Sequence, residues 1–402
     1  MRLPLNHGPE PVSTPLTHLS YGGGMSASDT VRPMPTGAHA DRLLADAARA
    51  ADGARARLTG ALNDLFRTPE YRLSDRDHAT MTRMLAVLVD TIEHDLRAHL
   101  IGLPPISNSV ELKDEFTDRD FPIAGPRLRR SRVMRDADLA VQLLRHCDEH
   151  HIGRALRAAY PRGEAAAGGL MERLTSHDDT AIADAAAALL VAESRRWDRF
   201  GDPVLNRADL PIELQHRMTW WIAAALRDHM LHEHEIDPAA ADRALVTAVT
   251  AVMAGYDERE TVDARAHELA LRLARAESLD DTLLVALLYE GQLSVWVAGL
   301  AVRALLDTAA VWTMLADADV SRLTLLLRSI GMERHIALGL LAGLFAARTG
   351  SGAVNDRQLA RAATAFDDLS IDQARAAIRA WGVDDHYRRA IAGLDAGGDG
   401  RA

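Results

Sequence analysis

From about residue 39 to residue 395, the chain shows the periodicity of amphipathic helices almost without interruption. Apolar side chains recur at helical spacing, as in the series from Met84 to Leu96, and this spacing places them on one helix face. Ala, Leu and Arg outnumber the residues that favour strands, and aromatic residues make up only 4% of the chain. With 48% hydrophobic residues the chain can form a core. The sequence therefore predicts an all-α protein.

Helix start signals divide this region into many helices of moderate length. A Ser followed three residues later by an acidic residue or Gln resembles a capping box, in which the Ser oxygen accepts a free backbone amide. Such boxes begin at Ser74, Ser176, Ser278 and Ser370. Asp209 and Asp237 are further candidate caps, each with a proline shortly after it. Because the predicted connections are short, consecutive helices are expected to pack antiparallel.

One internal similarity predicts a repeated architecture. Asp136 and the apolar residues after it share their spacing with Asp280 and its followers, at an offset of 144 residues. That offset corresponds to about four helix pairs of the HEAT type, whose periods run to ~40 residues. We therefore predict a HEAT-like helical-repeat array, an α-solenoid or irregular stack of helix pairs. We place an N-terminal lobe at 39–205 and a C-terminal lobe at 206–395.

The two ends of the chain lack this periodicity. Residues 1–38 are rich in Pro, Gly, Ser, Thr and His, and we predict a disordered tail there and at 396–402. Met25 follows Gly22-Gly23-Gly24, whose codons can encode a purine-rich ribosome-binding sequence. This arrangement suggests Met25 as the translation start, which the intact mass of the native protein tests.

Two segments near the start of the helical region carry a resemblance to a known family: LSDRDHATMTRMLAVLVDTIEHDLRAHLIG (73–102) and IAGPRLRRSRVMRDADLAVQLLRHCDEHHIGRAL (123–156). They are similar to the first helices of an uncharacterised alphaproteobacterial family with HEAT-like helical repeats, catalogued as a domain of unknown function. The segment RWDRFGDPVLNRADLPIELQHRMTWWIAAAL (196–226) and the Leu-rich region 279–345 resemble its sphingomonad branch. The resemblance implies a HEAT-like helical fold. It carries no activity, cofactor or catalytic residue over to this chain.

Charge and composition narrow the classes of partner. A net charge of −11 repels phosphate backbones, so we do not expect nucleic acid as the main partner. The arginines of 127–135 are followed at once by Asp136 and Asp138, which is typical of a solvated helix edge. The acidic balance favours a protein partner with a basic surface.

Location is predicted from three further features. No uninterrupted apolar stretch reaches the ~18 residues of a membrane-spanning helix. No cationic segment followed by an apolar one marks a secretory signal at the N-terminus. The single cysteine, Cys147, excludes an internal disulfide and suits a reducing compartment. We therefore expect a cytoplasmic protein.

The sharpest chemical motif is His146-x-x-Glu149-His150. It matches the inverted zincin pattern, in which two histidines one helical turn apart bind zinc and the glutamate acts as base. In the internal match, however, Gly291 lies at the corresponding place, and glycine favours a turn. We therefore interpret 147–151 as the polar end of one helix passing into the next. Zinc binding by the three motif residues stays open as the alternative.

A second histidine cluster closes a long predicted helix. It consists of His229, His232, Glu233, His234 and Glu235. The ligand types suit zinc or nickel. Histidines at a helix C-terminus also interact favourably with the terminal carbonyls and the helix dipole. We predict helix-end histidines here, with metal binding again the alternative.

No catalytic site is recognisable elsewhere in the sequence. It contains no G-x-S-x-G elbow and no phosphate loop, and paired carboxylates such as Asp178-Asp179 lie at helix starts, which the dipole explains. We expect no cofactor. The leading prediction is a non-enzymatic helical-repeat scaffold that binds a protein or peptide in a regulatory role. Two alternatives stay open: a metal-dependent hydrolase using one of the His/Glu clusters, and a HEAT-like nucleic-acid-binding module using the arginines of 127–135.

Overall fold

The computed structural model of the protein describes residues 75–131, 133–161, 168–316, 321–349 and 356–379. The predicted tails at 1–38 and 396–402, the candidate start Met25 and the first capping serine, Ser74, lie outside the described residues. All of the described residues belong to one compact unit.

Within these ranges the chain forms sixteen α-helices and no β-strand. The first eight are α1 (Asp75–Leu100), α2 (Val110–Thr117), α3 (Ala124–Arg130), α4 (Ala137–Ala159), α5 (Leu170–Thr175), α6 (Thr180–Ser194), α7 (Ile212–His232) and α8 (Pro238–Ala254). The other eight are α9 (Val262–Arg275), α10 (Asp281–Tyr289), α11 (Leu293–Ala304), α12 (Thr308–Ala316), α13 (Ser321–Ser329), α14 (Arg334–Thr349), α15 (Asp356–Asp368) and α16 (Ile371–Arg379). Short 3₁₀ helices lie at Ile106–Asn108, Arg207–Asp209 and Glu258–Glu260. The all-α prediction is confirmed.

In the described part of the chain, no single helix is both long and apolar enough to cross a membrane, although α11 and α12, bent by 115°, reach that length and composition as a pair.

Several helices begin with a side-chain cap at the position that the sequence predicts. Ser370 and Gln373 form a reciprocal capping box before α16, with the Gln373 amide donating to Ser370 Oγ at 3.2 Å. Asp237 caps α8, with Pro238 in the first turn. The capping boxes predicted at Ser176 and Ser278 correctly indicate that a helix follows each of them, but the two serines are not the capping residues. Asp179 and Asp280, each one position before the first helical residue, cap α6 and α10.

The buried apolar side chains form two clusters. Cluster A gathers residues from 81–147 and 205–252, and cluster B gathers residues from 152–192 and 262–378. Each cluster thus takes one stretch from either side of residue 205. The division into lobes near that residue stays a prediction about folding units, and the HEAT-like repeat stays a prediction as well.

Helix α4 connects the two clusters. Leu139 and Leu143 in its first half belong to cluster A, and Ile152 and Leu156 in its second half belong to cluster B. The helix packs against α1 on one side and against α10 and α14 on the other. Between the two apolar halves lie the polar residues of 145–150, and these residues position the candidate site.

Candidate functional site

The histidine motif of α4 lies in the middle of a helix rather than at an end. Helix α4 runs without a break from Ala137 to Ala159, so the predicted turn at 147–151 is wrong. The match at an offset of 144 residues gives the wrong expectation at one position, Cys147, which corresponds to Gly291. Gly291 adopts a φ of 69°, a left-handed conformation that terminates α10, whereas the corresponding Cys147 has a Cβ that disfavours such a φ. The helix therefore continues, and its polar middle is buried between the clusters.

A cavity of about 410 Å³ opens beside this polar middle. It lies between α4, the segment that follows α6 and the turn that precedes α11. Its wall carries charged, polar and aromatic side chains: His146, Glu149, His150, Glu193, Arg196, Trp197 and Ser294. Its volume is in the range of small-molecule sites, roughly 300–1,000 Å³.

Arg196 is the centre of a buried ion cluster at the cavity wall. Only 8% of the residue is exposed. Its Nη1 donates to both carboxylate oxygens of Glu149 at 3.0 Å, and its Nε donates to Asp209 Oδ2 at 3.0 Å. Burial alone lowers the pKa of Arg196, but the two carboxylates outweigh it and raise the pKa above its ordinary value. Burial also disfavours the charged form of Glu149, which for a carboxyl group raises the pKa, and Arg196 offsets only part of that rise.

Asp209 shows why its predicted role as the cap of α7 is wrong. The helix begins at Ile212, after Pro211. The Asp209 carboxylate instead accepts from Arg196 and, through Oδ1, from the backbone amide of Val262 at 3.0 Å. It thereby satisfies the first backbone amide of α9, the helix that Thr261 caps, from 53 residues away in the sequence. The long-range charge partner has displaced the local cap.

A second, partly buried ion pair adjoins the first, with the Arg145 side chain 14% and the Asp263 side chain 36% exposed. Arg145 donates to Asp263, and its guanidinium lies 4.4 Å from the centre of the Trp312 ring. Burial raises the pKa of Asp263, but the neighbouring Arg145 overcomes this and lowers the pKa to about 2. The pair stays ionised at neutral pH, so it adds no net charge to the cluster.

His146 is held as a neutral imidazole. Its Nδ1 lies 2.9 Å from the Gln142 carbonyl oxygen, so Nδ1 carries the hydrogen and Nε2 is left as an acceptor. Nε2 is buried and has no hydrogen-bond partner among the described residues. Burial lowers the pKa of His146 to about 3, with Arg196 and Arg145 adding to the effect. The ring therefore offers a lone pair without a donor.

Glu193 is the second carboxyl group of the cavity wall. The hydroxyl of Ser294 donates to its Oε1 at 2.6 Å, and burial raises its pKa. A carboxyl group of this kind can donate a proton when neutral, or hold a cation when ionised. Glu193, Arg196 and Asp209 are not recognisable as site residues in the sequence, because their partners lie 13 to 101 residues away and form no local pattern.

Residues 195–204, which we call the aromatic loop, contribute Arg196, Trp197, Pro203 and Val204 to the cavity wall. Phe200 is 75% exposed and Trp197 is 39% exposed. The Trp197 ring lies 5.2 Å from the His150 ring. Burial of His150 lowers its pKa to about 4, with His151 the next contributor. The loop therefore places the Trp197 ring beside the His150 imidazole at the cavity wall and holds the Phe200 ring in solvent.

Within the described residues, the zincin motif does not bring three ligand atoms within 4.8 Å of one another. Arg196 holds the carboxylate of Glu149, the residue that would act as base. Within the described ranges, two other groups bring three ligand atoms within 4.8 Å of one another. They are Glu115 with His229 and His234, and Asp77 with Cys147 and His151.

The first group includes two residues of the predicted histidine cluster and one that the sequence did not indicate. Glu115 Oε2 lies 2.7 Å from His229 Nε2 and 2.9 Å from His234 Nε2. Arg127 Nη2 lies 3.1 Å from His229 Nδ1 and can only donate, so Nε2 carries the ring hydrogen. Metal-bound histidines need the opposite arrangement, with an acceptor facing the free nitrogen. The geometry thus favours a hydrogen-bonded link between α2 and the end of α7. His232 lies apart from it, exposed beside Asp228.

The second group, Asp77 with Cys147 and His151, does not make the Cys147 thiol a nucleophile. Cys147 is 2% exposed, and its Sγ lies 3.7 Å from Asp77 Oδ1 and 4.0 Å from His151 Nδ1. The same Nδ1 lies 2.8 Å from Asp77, so the imidazole does not stand between the two as a relay. Burial, followed by Asp77, raises the pKa of the thiol well above its ordinary value. The thiol stays protonated.

Of the arginines of 127–135, Arg127 is paired with two carboxylates of the neighbouring elements, Asp228 at 3.1 Å and Glu233 at 3.3 Å. Arg129 and Arg130 are exposed at the end of α3, and Arg132 lies outside the described residues.

Comparison with known proteins identifies the family of the chain. Residues 123–379 match the sequence model of a family described as "Uncharacterised protein conserved in bacteria (DUF2336)". The matched segment contains the ion cluster, the aromatic loop and all but one of the residues that line the cavity. No curated protein and no solved structure matches the chain.

Proposed function

The chain belongs to DUF2336, a family of uncharacterised bacterial proteins, and we propose that it is a non-enzymatic interaction protein. Its partner binds on the aromatic loop. One observation carries the proposal: Phe200 is 75% exposed on a loop that is tied down at both ends. Large aromatic side chains that a fold holds in solvent are typical anchors of protein interfaces.

The loop is held by contacts on both sides of Phe200. Arg196 enters the buried ion cluster on one side, and Asp202 pairs with Arg83 of α1 on the other. Inside the loop, Asp198 Oδ1 accepts from the Phe200 amide at 2.8 Å and from the Asp202 amide at 2.9 Å. A loop ordered in this way loses little conformational entropy on binding.

The neighbouring side chains fit such an anchor. Trp197 and the cation–π pair of Arg199 with Phe200, 4.7 Å from guanidinium carbon to ring centre, place Trp, Phe and Arg on one short surface. Trp and Arg are enriched among the residues that dominate binding energy. The net charge of −11 supports a partner whose facing surface is basic.

The wider proposal follows from the all-helical architecture. We assign the chain a HEAT-like helical-repeat scaffold of the sphingomonad type, acting in the cytoplasm in a regulatory role. Helical arrays of this kind present extended surfaces on which protein partners bind. The metal-dependent hydrolase gains no support from the two ligand groups, because one ring nitrogen faces an arginine and one thiol is buried and protonated.

Affinity capture from native lysate tests the proposal with two matched baits. Phe200→Ser removes the exposed ring of the loop. Val246→Ser removes a 51% exposed apolar side chain from α8, away from the loop. We expect one reproducible partner with the wild-type and Val246→Ser chains and at least tenfold less of it with Phe200→Ser, because an anchor residue contributes about 2 kcal/mol or more. Equal recovery with all three baits, or no partner at all, contradicts the proposal.

A further inference from the structure

We propose that the cavity beneath the aromatic loop accepts the guanidinium group of an arginine side chain supplied by the partner. The inference deepens the proposed function, on which it rests for the source of the arginine. The acceptors, the charge and the aromatic rings of the cavity wall support it.

The first argument is the charge on the wall. Glu193 Oε1 accepts from Ser294, whereas Oε2 has no hydrogen bond from any described residue. Arg196 also lines the cavity, but Glu149 and Asp209 neutralise it within 3.0 Å. The charges of Arg196 and Arg157 act on Glu193, but neither arginine forms an ion pair with it in the described structure. A carboxylate largely removed from water, with one oxygen unmatched, favours an incoming cation.

The charges of the cluster point in the same direction. Two carboxylates and two guanidinium groups line the cavity (Glu149, Glu193, Arg157, Arg196), and Asp209, which does not line it, pairs with Arg196. Arg157 is more than a third exposed and donates to the Gly291 carbonyl oxygen at 3.2 Å. With all groups ionised, the cluster is one negative charge in excess.

The second argument is independent of the carboxylates. His146 is 5% exposed and lines the cavity, and its Nε2 is an acceptor without a donor in the described structure. Its Nδ1 hydrogen is already directed at the Gln142 carbonyl oxygen. The same wall therefore carries two unmatched acceptors, on His146 and Glu193. A ligand group that brings several N–H donors matches both.

The aromatic rings select among cations. Trp197 and His150 line the cavity with their ring centres 5.2 Å apart, and both are planar. A guanidinium group is planar, stacks on aromatic faces and offers five N–H donors, whereas an ammonium group is a compact, strongly hydrated charge. The cavity, at about 410 Å³, admits one long side chain but not a folded element.

Isothermal titration of the full chain with capped amino acids tests the inference without the partner. The probes are N-acetyl-arginine methylamide, its neutral citrulline analogue and N-acetyl-lysine methylamide. We expect the arginine probe to bind with a Kd on the order of 1 mM or tighter. The lysine probe should bind at least fivefold more weakly, and the citrulline probe should show no binding. Equal binding of the arginine and citrulline probes, or no arginine binding, overturns the inference; equal binding of lysine overturns the choice of guanidinium.

Two matched variants locate the binding. Glu193→Gln removes the charge from the cavity wall and keeps the shape, and Asp184→Asn makes the same charge change at an exposed position of the same helix. We expect at least a tenfold loss of arginine binding in Glu193→Gln and none in Asp184→Asn. An unchanged Kd in Glu193→Gln contradicts the inference. The citrulline comparison uses the wild-type chain, so the test stands even where Glu193→Gln folds poorly.

The outcomes separate this inference from the proposed function. If arginine binding depends on Glu193 but capture fails, the guanidinium site in the cavity is supported and the proposed protein partner is contradicted. Capture that depends on Phe200, without binding of the arginine probe, supports the interaction and overturns the cavity inference.

Discussion

Arg196 donates from a single nitrogen, Nη1, to both carboxylate oxygens of Glu149 at 3.0 Å each, across 47 residues of chain. One partner lies on α4, which connects the two apolar clusters, and the other lies at the start of the aromatic loop. The pair therefore determines where the loop lies relative to the cavity. The ion cluster is the structural basis of the candidate site.

Replacement of Arg196 tests this role of the pair. Arg196→Met removes the cation and leaves the carboxylates of Glu149 and Asp209 buried without it, which we expect to lower the free energy of unfolding by about 3–5 kcal/mol. Arg195→Ala is the matched control, because Arg195 is exposed and lies 3.9 Å from Glu260. It should cost no more than about 1 kcal/mol. Urea denaturation of both variants checks this, and a small effect in Arg196→Met contradicts it.

The neutral state of His146 predicts a loss of stability in acid. In the unfolded chain a histidine takes up a proton near pH 6.5, whereas burial lowers the pKa of His146 to about 3 in the fold. The unfolded state thus binds more protons between these values, so stability falls as pH falls through this window. From pH 7 to pH 5 this residue should account for about 2 kcal/mol, at ~1.4 kcal/mol per unit.

Variants isolate that contribution. His146→Gln should unfold in urea with a pH dependence about 2 kcal/mol smaller between pH 7 and pH 5 than that of the wild type. His335→Gln, at an exposed position of α14, is the control and should keep the wild-type dependence. The same slope in His146→Gln and wild type rules out a buried neutral imidazole.

Cys147 should be inert in the folded protein. It is 2% exposed and burial raises the pKa of its thiol, so neither access nor thiolate formation favours reaction. We expect no release of thionitrobenzoate from DTNB at pH 8 in the native chain, and one equivalent after unfolding in guanidinium chloride, since Cys147 is the only cysteine. Rapid reaction of the native protein contradicts the packing of α4.

The close approach of Gly153 and Gly291 predicts a large effect of one methyl group. A Cβ on Gly291 lies 2.6 Å from the Gly153 carbonyl oxygen, and the φ of Gly291 is 69°. Gly331 has a similar φ of 76° but open space around it. Gly331→Ala should cost about 1–2 kcal/mol for the φ alone, and Gly291→Ala clearly more because of the added clash. Equal losses on thermal unfolding contradict the predicted contact.

The hydrogen-bonded link at Glu115 predicts weak metal affinity. Because Arg127 donates to His229 Nδ1, a metal at Nε2 requires that hydrogen bond to break. We expect no stoichiometric zinc in untagged protein by metal analysis, and the same zinc content in His229→Gln and His234→Gln. A full equivalent of zinc that disappears in either variant contradicts this account.

The sequence predicts what depends on neighbouring residues. Asp237 with Pro238, and Ser370 with Gln373, mark helix starts correctly because a cap and its amides lie within three positions. The turn predicted at 147–151 is wrong because the polar middle of α4 resembles a helix end. Arg196 of the aromatic loop and Asp263 of α9 pair with Glu149 and Arg145, and local spacing cannot reveal such partners.

The candidate site shows the same division. Its α4 residues, His146, Glu149 and His150, are visible as a motif, but the motif does not indicate that Glu149 pairs with Arg196. Glu193 and Arg196 become site residues only when the fold places them opposite α4. Helical periodicity assigns the helices, and long-range pairing of buried charges assigns the site.

Site-specific photo-crosslinking tests the central claim, a partner bound on the aromatic loop, most directly. Benzoylphenylalanine in place of Phe200 reports contact at the loop, and the same group in place of Val246 reports contact at a comparably exposed apolar position on α8. The account predicts one discrete crosslinked adduct in cells from position 200 and none from position 246. An adduct from position 246 alone, or none from position 200, contradicts it.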